Sequence, residues 1–158
     1  MSPKYRQAPS RGRVDGHAAK KRLSQNFLHD LNVRDRIVQA GAPAAGELVL
    51  EIGPGLGFLT EALLASGANV VAVELDNDLI PRLQHKFAAQ ISAGQLTLIH
   101  GDALTVDLES LAPTSGSWRV IANIPYHVTS PLLHRLLLLA VPPARIVLLV
   151  QLEVAERV

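Results

Sequence analysis

The chain of 158 residues contains no cysteine. That excludes a disulfide framework, a thiolate metal site and a cysteine nucleophile. It fits a reducing, cytoplasmic setting. No apolar run approaches the ~20 residues that a membrane helix needs. The longest candidate, LLHRLLLLAV, is interrupted by His134 and Arg135. The N-terminus is basic but has no apolar stretch behind it, so no secretory signal is expected. His29, His100 and His127 show no metal-ligand spacing, and no metal is expected.

The composition is globular, with 48% hydrophobic and 18% charged residues. The length fits one domain with a real core. The net charge of +1 hides an asymmetry. Residues 1–36 hold nine Lys/Arg against three Asp, a net of +6, and the remainder holds six basic against eleven acidic residues, a net of −5. A basic arm on an acidic body suggests a polyanionic partner. The plainer alternative is a solvated, solubilising tail. Residues 1–19 are polar, basic and rich in Gly, Pro and Ala, and they read as a disordered arm.

Beyond the arm, strands and helices alternate. RDRIVQA (34–40) is weakly helical and stops at Gly41 and Pro43. The apolar runs at 47–52, 69–75, 95–100, 118–123 and 144–151 read as five strands. Helices are expected from Phe58 to Ser66, and from Asp76 or Asn77 as cap through Ser92. A third begins at Ser130 as N-cap with Pro131 at its first position. Residues 101–111 read as a loop with a short helix, and 152–158 as the start of another. This alternation predicts an α/β, mostly parallel sheet. Ligands in such sheets bind beyond the carboxyl ends of the strands.

The strand ends carry chemistry. EIGPGLG (51–57) has glycines at 53, 55 and 57, and the sixth place of the dinucleotide G-x-G-x-x-G pattern is Phe58. With Glu51 two residues ahead, the loop favours a ligand without a pyrophosphate, such as S-adenosylmethionine; a purely structural turn is the alternative. Glu74 follows Gly53 by 21 residues, where a carboxylate can accept from two ribose hydroxyls. Asp102 can accept from an adenine amine, or else cap the helix after it. The two acids on neighbouring strand ends are more specific together than either alone. At the fourth end, Asn123 and the Ile124 carbonyl can hold the two hydrogens of a target amine. Pro125 restricts Ile124, and Tyr126 offers a ring for a flipped base. The alternative is a polar turn whose Tyr plugs the core.

With those residues in view, KRLSQNFLHD, EIGPGLGFLT, VAVELD, GDAL, NIPYHVTSPLL and LLVQLEVAERV together resemble the ribosomal RNA adenine dimethyltransferases, from Lys20 to Val158. The resemblance implies a Rossmann-like methyltransferase domain at 20–158. It implies S-adenosylmethionine as cofactor, bound by Asn26, Leu28, Gly53, Glu74, Asp102 and Asn123, with Gln25 in a lid-like segment. Asn123, Pro125 and Tyr126 fall on the family's catalytic loop, and the implied product is N6-dimethyladenine. NIPYH is seen in the branch that modifies the large subunit and confers macrolide resistance. SPLL and VQLEVAERV match the small-subunit maturation branch, which the longer match favours. The implied partner is ribosomal RNA in a pre-ribosomal small subunit, met by a monomer in the cytoplasm. Lys20, Lys21 and Arg22 would meet its phosphates.

Two departures stand out. Leu152 occupies a place that is usually Lys in the small-subunit branch. The family also continues with two further strands and a small helical domain, so the chain reads as an incomplete methyltransferase domain. Alone it is expected to be marginally stable and inactive on ribosomal particles. The rival readings are a DNA adenine methyltransferase, a nicotinamide dehydrogenase and a nucleic-acid-binding relative that no longer methylates.

Overall fold

A computed structural model describes residues 31–114, 116–124 and 126–149. Of Tyr126 and His127 it describes the backbone alone. The expectations for the 1–19 arm, for Lys20, Lys21, Arg22, Gln25, Asn26, Leu28, His29, Pro125 and Leu152, and for a helix over 152–158 lie outside the described residues.

Five strands form one sheet: β1 (Leu48–Ile52), β2 (Asn69–Glu74), β3 (Leu96–His100), β4 (Trp118–Asn123) and β5 (Arg145–Leu149). All pairings are parallel and the order is β3-β2-β1-β4-β5. The chain builds outward from β1 to β3, then crosses back to place β4 on the other side of β1. That reversal of direction opens a crevice at the carboxyl ends of β1 and β4. Over the described residues every strand lies within one residue of its expected span; positions 150–151 of the fifth expectation lie outside them.

The helices are α1 (Leu31–Gly41), α2 (Phe58–Ala65), α3 (Ile80–Lys86), α4 (Ala88–Ser92), α5 (Leu108–Leu111) and α6 (Tyr126–Leu137). Strand side chains alternate between two faces. Val49, Val70, Ala72 and Ile121 pack with Ile37 of α1, Leu59 and Leu63 of α2, and Leu83 of α3. Leu50, Val73, Val120 and Ala122 pack with Leu108 of α5 and Leu132 and Leu136 of α6. Both faces are covered, which is why the strands read as continuous apolar runs. Trp118 is fully buried, and its indole N–H donates to the Val141 carbonyl at 2.9 Å.

Three helix expectations are corrected. The helix after β2 begins at Ile80, with Leu79 as its N-cap and no side-chain cap bond. Asp76 instead closes its own turn, accepting from the Asp78 N–H at 3.0 Å. The same helix breaks at Phe87, whose φ of −111° and ψ of 25° leave the helical region and allow its ring to enter the core. The helix after β4 begins at Tyr126, four residues before Ser130, so Pro131 lies inside it. Proline there removes the bond to the carbonyl four residues back and crowds that carbonyl with its ring. Burial of Thr129, Leu132 and Leu136 on one face holds the turn that the proline weakens.

Candidate active site

The glycine loop is shaped from both sides. Gly53 has φ +72°, a left-handed conformation that side-chain-bearing residues avoid. A Cβ there would meet only the Asn123 carbonyl, at 3.4 Å, so the ground above Gly53 is open. Gly57 has φ +79°, and a Cβ there would lie 2.5 Å from the Phe87 ring. Gly53 thus keeps room for something outside the chain, whereas Gly57 makes room for the core. From α3, the Lys86 ammonium donates to the Leu56 and Gly57 carbonyls at 3.3 Å each. It also lies over Phe58 and Phe87, 5.2 and 5.0 Å from their centroids.

Glu74 ends β2 and is 6% exposed. Its Oε2 accepts from the Gly55 N–H at 2.9 Å, and its Oε1 from the Asp76 N–H at 2.8 Å. The carboxylate therefore ties the glycine loop to β2. Each oxygen keeps a second lone pair for a further donor. Asp102 follows β3, and its Oδ1 accepts from the Leu104 N–H at 2.8 Å. Its Oδ2 has no partner among the described residues. Asp102 does not cap the short helix after it. Asp107 does so, accepting from Glu109 and Ser110.

Gly53, Glu74, Asp102 and Asn123 line one cleft of about 520 Å³, with Ile124 in its wall. Four predicted site residues from four strand ends are thus brought together. Its size suits a small cofactor. The donor set suits an adenosine: two carboxylates with spare acceptor capacity, an amide, and bare backbone over Gly53. Sequence reasoning missed Leu75 and Val128, which also line the cleft. Leu75 is 66% exposed, and an apolar residue directly after Glu74 was the signal available. A second depression of similar size lies between α1 and α2, lined by Arg34, Val38, Ala62 and Ala65. It is away from the strand ends and gathers none of the predicted residues.

Glu51 does not join the cleft. Its side chain is 1% exposed, and neither of its oxygens nor the buried Thr60 hydroxyl has a hydrogen-bond partner among the described residues. Burial raises its carboxyl to about 8. Thr60 beside it lowers that value in part without forming an aligned bond, the Glu74 charge raises it, and Lys86 lowers it. A carboxyl in that setting is neutral at pH 7.

Parallel strands with crossover helices and a strand-end cleft at the reversal of strand order define a Rossmann-like domain, the fold of known RNA methyltransferases. The 23S rRNA methyltransferase ErmE superposes with a TM-score of 0.68 at 28% identity, over 83% of this chain and 50% of that one. A dimethyladenosine transferase from Plasmodium falciparum superposes at 0.66 and 30%, over 81% and 44%. The chain belongs to the ribosomal RNA adenine dimethylase family, whose model matches residues 16–158. It is 48% identical over 141 residues to Ribosomal RNA small subunit methyltransferase A of Pseudomonas putida. It is also 48% identical over 149 residues to the protein of that name in Synechococcus sp. (strain CC9311). The aligned regions cover 89% and 90% of this chain and 52% of each relative, so the chain spans about half their length. Among the described residues no helix is long and apolar enough to cross a membrane.

Proposed function

We propose that this chain carries the cofactor-binding part, and the start of the target loop, of an S-adenosylmethionine-dependent adenine N6-dimethyltransferase. Its substrate is small-subunit ribosomal RNA during ribosome maturation in the cytoplasm. One observation carries the reading: Gly53, Glu74, Asp102 and Asn123 converge on one cleft. The names of the 48%-identical relatives support the small-subunit branch over the large-subunit one.

Glu74 accepts the ribose hydroxyls, and its backbone bonds to Gly55 and Asp76 fix its direction beforehand. Asp102 accepts from the adenine amine through Oδ2. Bare backbone at Gly53 allows the methionine part to lie close. The bound cofactor supplies an electrophilic methyl group on a sulfonium. The Asn123 side-chain carbonyl and the Ile124 backbone carbonyl hold the two hydrogens of the target amine, so its lone pair faces the cleft. Tyr126 stacks the flipped base, Pro125 stiffens the turn, and Asn26 and Leu28 close over the cofactor. Holding the reacting atoms ~3 Å apart is the main catalytic contribution. The proton leaves after transfer has made the amine cationic, so a strong base is unnecessary. Lys20, Lys21 and Arg22 meet RNA phosphates, which makes binding salt-dependent.

Calorimetry with S-adenosylmethionine and with NAD tests the cofactor. Binding of the first alone is expected, and binding of NAD alone would restore the dehydrogenase reading. Methyl transfer by the protein that carries this chain, compared on unmodified small subunits, large subunits and duplex DNA, tests the substrate. Asn123→Ala should lower turnover by about 100-fold, as loss of a positioning contact does. Cofactor affinity should stay within a few-fold. A collapse of affinity would make Asn123 a binding residue first.

A further inference from the structure

Arg135 lies near the end of α6, nine residues after Tyr126 and 33 after Asp102. Its Nη1 donates to the Ala103 carbonyl at 2.6 Å and its Nη2 to the Val106 carbonyl at 2.7 Å. Those carbonyls bracket the turn that follows Asp102. Within that turn the Asp102 carbonyl accepts from the Thr105 and Val106 N–H groups, and its Oδ1 from the Leu104 N–H. The turn is thus closed on itself from Asp102 and held from outside by one planar guanidinium. The fork geometry suits arginine, whose planar guanidinium holds its donors in fixed directions on separate nitrogens, where an ammonium offers a single freely rotating point. Among the described residues Arg135 has no carboxylate partner. Its role is therefore geometric rather than one of charge pairing.

The same helix reaches the cleft. Val128 lines it and shares one helical face with Leu132 and Arg135, while Leu132 and Leu136 anchor that side in the core. α6 also begins directly behind the segment that holds Asn123 and Ile124. We propose that Arg135 is a positioning residue that fixes the Asp102 turn against α6, setting the adenine-binding wall of the cleft relative to the target-amine wall. This rests on the proposed function, since Asp102 matters only if the cleft takes an adenosine.

The test is calorimetric titration of S-adenosylmethionine into the chain and into Arg135→Met, Arg135→Lys and Asp107→Ala. Asp107→Ala removes the cap of α5 in the same crossover and leaves the Asp102 turn untouched. Arg135→Met should weaken affinity about tenfold, the equivalent of one hydrogen bond to the cofactor. Arg135→Lys should fall between, and Asp107→Ala should match the unaltered chain. Unfolding lowers the binding stoichiometry and leaves the affinity of the folded remainder, so a purely structural role moves the first and not the second. If Arg135→Met fails to fold, Arg135→Lys carries the comparison. Unaltered affinity in both Arg135 variants, or an equal loss in Asp107→Ala, overturns the inference. Absence of binding by the unaltered chain overturns the functional reading, and this inference with it.

Discussion

Glu47, just before β1, and Glu51, near its carboxyl end, stand four residues apart, and their surroundings are opposite. At the amino end, Glu47 Oε2 accepts from Arg119 Nε at 2.7 Å and from the Ala44 N–H at 2.9 Å, and Oε1 accepts from Ser117 at 2.8 Å. Desolvation alone would raise its carboxyl, but the Arg119 bond and the other donors outweigh that and hold it at about 2. At the carboxyl end, Glu51 is buried with no hydrogen-bond partner among the described residues, and burial raises it to about 8. One end of the strand is built for stability. The other keeps a neutral acid under the glycine loop at a cost to stability, which is a pattern seen beside functional sites.

The sharpest way to break this contrast is at the satisfied end. Arg119→Met leaves the Glu47 carboxylate nearly buried without its cation, and should cost about 3 kcal/mol in urea unfolding. A loss under 1 kcal/mol would mean that Ser117 and Ala44 suffice.

The next test is the pH profile. The folded-state value of Glu51 lies above its unfolded value of 4.5, so its contribution is full below 4.5 and is lost as pH rises toward 8. Between those limits it should lower stability by at most about 1.4 kcal/mol per pH unit. Glu47 runs the other way: its contribution is full above 4.5 and is lost as pH falls toward 2. Glu51→Gln should flatten the upper limb and leave the lower one. Equal slopes in both proteins between pH 5 and 8 would show that Glu51 is ionised in the folded state.

The smallest effects form a matched pair. Ser117→Ala removes a made hydrogen bond and should destabilise by about 1 kcal/mol. Thr60→Val removes a buried hydroxyl with no partner among the described residues and should be neutral or stabilising by up to about 1 kcal/mol. Destabilisation by both, seen in thermal melts, would reveal a partner for Thr60.

The strands were legible because both faces of the sheet are covered, which leaves apolar runs such as LVLEI with no polar alternation to confuse them. The cleft residues were legible because a parallel sheet sends its strand ends to one rim, so Gly53, Glu74, Asp102 and Asn123 needed no long-range information. Helix boundaries were less so. Ser130-Pro131 carries a strong start signal, yet burial of Thr129 and Leu132 extends the helix back through it. Glu51 helped mark the loop as one for S-adenosylmethionine, but its burial away from the cleft was not foreseen. Its parity with Val49 places both on the face covered by α1, α2 and α3, a signal that was available. Lys86 and Arg135 left no local trace, because their partners lie about 30 residues away and only packing brings them together.

The strand order also sets a timetable. Leu48 pairs with Asn69 on one side and with Trp118 on the other. During synthesis, β1, β2 and β3 can assemble as consecutive units as soon as each emerges. The second flank of β1 must wait for residues some 70 positions later. Until then the apolar edge of the most buried strand stands bare, and the three walls made by Gly53, Glu74 and Asp102 face no fourth. Arrival of β4 covers that edge and delivers Asn123 in the same step, so the central strand gains its second neighbour as the cleft gains its far side, and β5 is then left to add beyond it.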